Sequence, residues 1–390
     1  MSWERKTLDQ LGMVSRGRSK HRPRDDESLY GGIYPFIQTA DVKRSNFYIT
    51  EYSQTYNERG LAQSKLWRAG TLCFTIAANI ADSAILGIDA CFPDSIMGFI
   101  PYEGVSDVRF VKYCFDVLQQ QCKQISQGAT QDNLSWEKLS TIKFPAPDYK
   151  TQQKIADILS AYDNLIENNQ KQIKLLEEAA QRLYKQWFID LRYPGYETTP
   201  IVDGLPEGWK KEKLVDFADV VMGQSPKSEY YNMEKKGLPF HQGVGSYGTR
   251  FVKDGIYSST VTRIAEAGSI LFSVRAPVGR LNFTKNKIII GRGLAAINHK
   301  NKYQSFLFYM LKERFFKDDI LGNGAIFASI SKDELLNQKF VIPSKELMSK
   351  FNTIASVIDG KISTADAQIQ HLTQFRNRLL PKLMNGEIEV

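Results

Sequence analysis

The sequence predicts an α+β protein in which two globular domains of α/β character sit at opposite ends of two long antiparallel coiled-coil helices, related by a pseudo-twofold internal repeat. Three observations carry this prediction. The chain matches itself at a spacing near 200 residues, each copy closes with a heptad-patterned run, and the segments between are rich in Gly and aromatics. With 390 residues, 42% hydrophobic and 24% charged, the chain can bury more than one core, and collagen-like, disordered and disulfide-scaffold classes are excluded.

The repeat is plainest at the end of each half. Sliding the chain by 196 residues aligns 143–188 with 339–384, and 13 of those 46 positions are identical, among them Pro147/Pro343, Ile158/Ile354, Asp163/Asp359 and Leu176/Leu372. Chance would give about three at ordinary residue usage. Upstream the offset drifts, so the halves differ by insertions: Gly70-Thr-Leu-Cys-Phe-Thr-Ile76 matches Gly268-Ser-Ile-Leu-Phe-Ser-Val274, Pro35-Phe36-x-Gln38 matches Pro239-Phe240-x-Gln242, and Gly17 and Ser19 match Gly223 and Ser225. Gly128-Ala129 likewise matches Gly324-Ala325.

The order of segments follows. Residues 1–150 form the first domain, 151–200 a central helical region, 201–345 the second domain and 346–390 a C-terminal helical region. In the domains, runs at 72–76, 269–274 and 287–290 read as strands, and 108–124 and 304–317 as helices. In the central region Ile155, Leu159, Tyr162, Ile166, Asn169, Ile173, Leu176, Ala180 and Leu183 follow alternating steps of four and three, a coiled-coil seam in which Asn169 could fix register. Ile358, Ile362, Ile369, Leu372 and Leu379 repeat it in the same phase. Each helix would be about 50 Å long. Pro147 and Pro343 precede the helices, while Pro194-Gly195 and Gly386 follow them.

Charge is unevenly placed. The net +8 is confined to 201–345, since the four segments contribute +1, −1, +8 and 0. In the first domain, near-neutrality hides a basic run, Arg16-Gly-Arg-Ser-Lys-His-Arg-Pro-Arg24, followed by Asp25-Asp26-Glu27. Gly and Ser between arginines leave side chains able to reach phosphates or guanine edges. The second domain carries Met222-Gly-Gln-Ser-Pro-Lys227, His241-Gln-Gly243, Arg275-Ala-Pro-Val-Gly-Arg280 and Gly291-Arg-Gly293. The candidate DNA contacts are therefore Arg16, Arg18, Lys20, Arg22, Gln38 and Asn79 in the first domain, and Lys227, Tyr231, His241, Gln242, Arg250, Arg275 and Arg280 in the second. In the first domain Ala77-Ala-Asn-Ile-Ala81 replaces Arg275-Ala-Pro-Val-Gly279, so a cationic contact of one domain is absent from the other.

Reactive groups are not assembled by any motif. The four cysteines, Cys73, Cys91, Cys114 and Cys122, show no CxxC spacing, and the four histidines are scattered, so no metal is expected. The chain carries no Asn-Pro-Pro-Tyr, no Gly-rich AdoMet loop, no GxxxxGK[ST] and no nuclease carboxylate cluster, and no catalytic residue can be nominated. The longest mainly apolar stretch, 71–92, is broken by Asn79, Asp82 and Asp89, and the start lacks a signal-peptide core, which points to a cytoplasmic protein with no membrane association. Two other readings fit the residues less well: a self-contained DNA-modifying enzyme with unrecognised motifs, and a coiled-coil scaffold with no DNA role.

Pro145-Ala-Pro147, Gln152-Gln-Lys-Ile-Ala-Asp-Ile-Leu159, Leu205-Pro-Glu-Gly-Trp209, Gly268 to Val274 and Leu379-Leu-Pro-Lys-Leu-Met-Asn-Gly-Glu-Ile388, in this arrangement, resemble the specificity (S) subunit of a Type I restriction-modification system. The resemblance covers essentially the whole chain. It implies a non-catalytic subunit whose two target-recognition domains each read one half of an asymmetric, split double-stranded DNA site, the helices setting the spacer. It further implies two methyltransferase (M) subunits docked on the helices and restriction/translocase (R) subunits completing the enzyme. AdoMet, ATP and Mg would belong to those partners, and no cofactor to this chain.

Overall fold

Short β-branched and aromatic runs supply the strands, and the computed structural model places most of them in two larger sheets in each half of the chain, beside two-stranded ones. Residues 3–76, 82–125, 136–315 and 329–390 are described. Asn79, within 77–81, and the matches Gly128-Ala129 and Gly324-Ala325 lie outside them. The chain divides into two compact units, Met1–Gln170 with Ala367–Val390, and Lys171–Asp366. The division falls within both long helices.

In the first unit a five-stranded sheet runs in the order Gly12–Arg16, Ile96–Pro101, Leu72–Thr75, Ser83–Leu86 and Tyr48–Ile49, antiparallel except for the last pair. A four-stranded sheet orders Gln54–Tyr56, Tyr30–Phe36, Ala90–Cys91 and Leu66–Trp67. The second unit repeats the plan. Its four-stranded sheet runs Ala218–Met222, Leu294–His299, Ile270–Ser273 and Leu281–Phe283, all antiparallel. Its five-stranded sheet ends in Tyr257–Ser258, Leu238–His241, Ile288–Ile290 and Ile264–Ala265, the counterparts of the first unit's smaller sheet. The matched strands Leu72–Thr75 and Ile270–Ser273 each follow a glycine at positive φ, Gly70 at 88° and Gly268 at 83°, a conformation that a side chain would strain.

Both strands are wholly buried because one face of each packs on helices and the other on the smaller sheet of its domain, Cys73 meeting Trp67 and Ala90 and Leu271 meeting Ala265, Ile288 and Ile290. In the first unit Leu72, Phe74, Phe99 and the helix Val108–Ile125 share a core with Ile155, Leu159, Leu380 and Leu383. In the second, Ile270, Phe272 and the helix Gln304–Phe315 share one with Ala180, Tyr184, Trp187, Phe351 and Ala355. Within each unit the two long helices, Tyr149–Phe188 and Lys345–Met384, thus run antiparallel: low numbers of one meet high numbers of the other. Asp148 caps the first helix, its carboxylate accepting from the Thr151 amide (3.1 Å) and hydroxyl (2.6 Å), which holds its carboxyl below the usual range. Ser344, at the equivalent position, accepts from the Leu347 amide at 3.3 Å.

Of the seam positions, Ile155, Leu159, Ile166, Ile173 and Ile362 are buried, while Tyr162, Leu176, Leu183, Ile358, Ile369, Leu372 and Leu379 are half-buried. Asn169 is buried too, but its Nδ2 donates to the Leu165 carbonyl of its own helix at 2.9 Å. A tie recurs 196 residues apart between a domain helix and a long helix: the Tyr113 hydroxyl donates to Asp163 at 2.6 Å, and the Tyr309 hydroxyl to Asp359 at 2.9 Å.

Candidate nucleic-acid interface

In the first unit the basic run leaves the strand Gly12–Arg16 at Gly17, where it crosses the chain entering Ile96–Pro101. The Gly17 amide donates to Ile96 O and the Arg18 amide to Phe92 O, both at 2.9 Å. A Cβ on Gly17 would stand 2.3 Å from Pro93 O, so only glycine permits this crossing. Ser64 fixes the next residue by donating to Arg18 O at 2.7 Å. Arg18 is thereby left exposed, while the Nε2 of Gln38 donates to Gln54 at 2.6 Å. An open cleft of about 680 Å³ lies here, with Ser19, Arg24, Gln38, Gln54 and Pro93 in its walls. Arg24 is held in place by Asp94 at 2.6 Å, and its carbonyl accepts from the Tyr30 hydroxyl at 2.7 Å. Burial raises the Tyr30 phenol to about 12, so it stays a donor.

The second unit builds the same crossing from different letters. The Gly223 amide donates to Leu294 O and the Gln224 amide to Ile290 O, both at 2.9 Å. A Cβ on Gly223 would stand 2.1 Å from Gly291 O. Thr262 donates to Gln224 O at 2.5 Å, as Ser64 does to Arg18 O. Ser225 Oγ donates to Gln242 Oε1 at 2.9 Å, and the Arg292 amide points at Ser225 Oγ from 3.3 Å. Gln224, Gln242 and Arg292 are exposed. The hydrogen bonds thus equate Arg18 with Gln224, Ser19 with Ser225 and Asp94 with Arg292, and the sequence repeat equates Gln38 with Gln242.

The structure separates the remaining predicted contacts. Arg16, Lys20, Lys227, Arg275 and Arg280 are exposed, with Arg275 joined through its backbone to Ser329. Arg22 spends part of its guanidinium on its own loop, donating to Ser19 O at 2.7 Å and His21 O at 2.8 Å. The Tyr231 hydroxyl donates to Pro226 O at 3.0 Å and its ring packs on Phe240, so it closes a loop. Two expectations are corrected. Arg250 is only 2% exposed: its guanidinium donates to Asp359 at 2.6 Å and lies 3.5 Å from the centroid of Phe308, leaving no surface for DNA. His241 is 1% exposed, with Nδ1 2.8 Å from Ser246 Oγ and Nε2 3.0 Å from Asp254, so it pins the loop after its strand. Burial pulls its imidazole below the usual range, and Asp254 opposes that.

Sequence reasoning did not nominate Arg24, Gln54, Asp94, Gln224 or Arg292. The available signal was the glycine flanking each turn: Gly17 and Gly223 match in the repeat, and Gly291 and Gly293 bracket Arg292. Among the described residues no group of three or more His, Cys, Asp or Glu could hold a metal ion, and no helix is long and apolar enough to cross a membrane.

A family model, the type I restriction modification DNA specificity domain, matches the chain twice, at residues 1–178 and 206–373. The type I restriction enzyme MjaIX specificity subunit of Methanocaldococcus jannaschii is 27% identical over 410 residues, which take in 100% of this chain and 94% of that one. MjaX of the same organism, also named as a specificity subunit, is 32% identical over 270 residues, and that match covers 68% of this chain but only 63% of the relative. Among solved structures, the Type-I restriction-modification system S subunit from M. genitalium shares the fold, with a TM-score of 0.58 at 18% identity over 98% of this chain and 96% of that one. Two tandem matches to one model, each taking in a strand-crossing of the same design, establish that the chain belongs to the type I restriction modification DNA specificity family.

Proposed function

We propose that this chain is the non-catalytic specificity subunit of a type I restriction-modification enzyme, reading an asymmetric bipartite site in double-stranded DNA, one half with each domain. The observation that carries this reading is the strand-crossing built twice on the same backbone hydrogen bonds but with different outward side chains, Arg18 and Asp94 in one unit, Gln224 and Arg292 in the other. One scaffold with two sets of letters suits one sequence-reading role performed on two different half-sites.

The long helices set the spacer, since each gives about half of its length to each unit. They also carry an outward face suited to partners. Lys154 and Ile158 are exposed one turn apart, and the identical pair Lys350 and Ile354 repeats them 196 residues later, with Ile158 38% and Ile354 43% exposed. Identical residues that serve no core fit two copies of one partner, the methyltransferase subunits, which would bring AdoMet. Restriction/translocase subunits would bring ATP and Mg, leaving this chain without a cofactor.

Mapping methylated adenines across the genome of cells expressing the chain with its methylase tests the reading. The expected outcome is one split motif with unlike halves. A continuous or palindromic motif overturns it, as does methylation of DNA by the purified chain alone with AdoMet and Mg²⁺.

A further inference from the structure

The equivalence of Asp94 and Arg292 points beyond a general reading role. Both follow the residue whose carbonyl the glycine turn approaches, Pro93 O facing Gly17 and Gly291 O facing Gly223. Yet one is a carboxylate and the other a guanidinium. Arg292 is exposed between Gly291 and Gly293, and both glycines are packed against Gln242 so closely that a Cβ would fall 2.9 Å and 2.5 Å from its atoms. The turn is therefore tightly packed on Gln242, and the residue it exposes between the two glycines is an arginine, a planar bidentate donor. In the first unit Asp94 clamps Arg24 at 2.6 Å and stands 3.8 Å from Arg22, so the cation at that edge comes from the basic run instead.

We propose that position 94/292 is a specificity-determining position in both half-sites. Arg292 reads a guanine through its O6 and N7 atoms in the half-site of the second unit, the commonest bidentate pairing in the major groove. Asp94 is a positioning residue that holds Arg24 against a base of the other half-site. This rests on the specificity function above and names the groups that perform it.

The test uses the assembled methylating complex and a duplex library randomised in each half-site in turn. Arg292→Ala and Arg292→Lys should each lower discrimination at one base pair of one half-site by roughly 5- to 150-fold and leave the other half-site unchanged. Lysine keeps the charge but loses the fork, so it separates base reading from charge. Asp94→Asn should alter preference at one base pair of the opposite half-site, and Arg24→Lys should reproduce that change at the same pair. Uniform weakening by Arg292→Ala, with the salt slope reduced by about 1, unchanged base preferences and no effect of Arg292→Lys, would make Arg292 a phosphate contact and overturn the proposal while leaving the specificity function intact. Asp94→Asn without effect, or affecting both half-sites, overturns the positioning role. A wild-type complex that shows no sequence preference overturns the specificity function itself.

Discussion

Arg250 draws its importance from burial rather than from charge at a surface. At 2% exposure it faces Asp359 and Glu177 and the hydroxyl of Tyr309, stacked on Phe308. Removing one member of such a set strands the others away from water, so Arg250→Ala should lower unfolding stability by about 3–5 kcal/mol in urea titration. The salt slope of DNA binding by the remaining folded protein should not change. His299 offers a second measurement. It is 5% exposed, its Nδ1 accepts from the Asn301 amide at 3.0 Å and its Nε2 has no hydrogen-bond partner, so burial pulls the imidazole from 6.5 down to about 4. The unfolded chain therefore binds the proton first. Stability is unaffected above about pH 6.5 and falls as pH drops towards 4, by on the order of 3 kcal/mol in all. In His299→Gln the unfolding free energy between those limits should lose that much of its pH dependence.

At the scale of elements, the long helices owe their place to seam residues that enter the domain cores. Ile155 is fully buried with Leu380 and Leu383, so Ile155→Ala should cost about 2–5 kcal/mol, read from the urea midpoint. Asn169 sits buried in the same seam and bonds to its own helix at Leu165. Asn169→Leu should accordingly raise stability by about 1 kcal/mol with an unchanged urea dependence, since a polar seam residue is retained at a cost in stability. Heptad spacing made this seam legible beforehand, and Gly70 and Gly268 marked the buried strands after them. The period could not say that Arg376, at a seam position, pairs with Asp163, or that in the other unit Arg250 serves Asp359 from a loop of the domain. Equivalent aspartates thus take their cations from non-equivalent segments, a choice made by which segment reaches the carboxylate.

For the whole molecule, the first unit needs both ends of the chain. Leu380, Leu383 and Met384 are buried in its core, and Trp3 approaches Gly386. A chain ending at Asp366 should lose about 4–9 kcal/mol of apolar burial from that unit. Limited proteolysis should then cut within 1–170 while 171–366, whose core is formed by a continuous stretch, resists. The sequence by itself determined the duplication, the phase of the helices and the absence of catalytic motifs, because periodicity and self-similarity are local properties carried by neighbouring residues. It also identified the glycine turns and the Gln38/Gln242 pair. Only the tertiary structure decided which basic residues face outward. Arg292 and Arg250 look alike in a charge count, but one is lifted from the surface by a turn that admits only glycine beside it, and the other is drawn under Phe308 by two carboxylates from the long helices. Exposure depends on contacts between residues far apart in the chain, and no spacing rule records it.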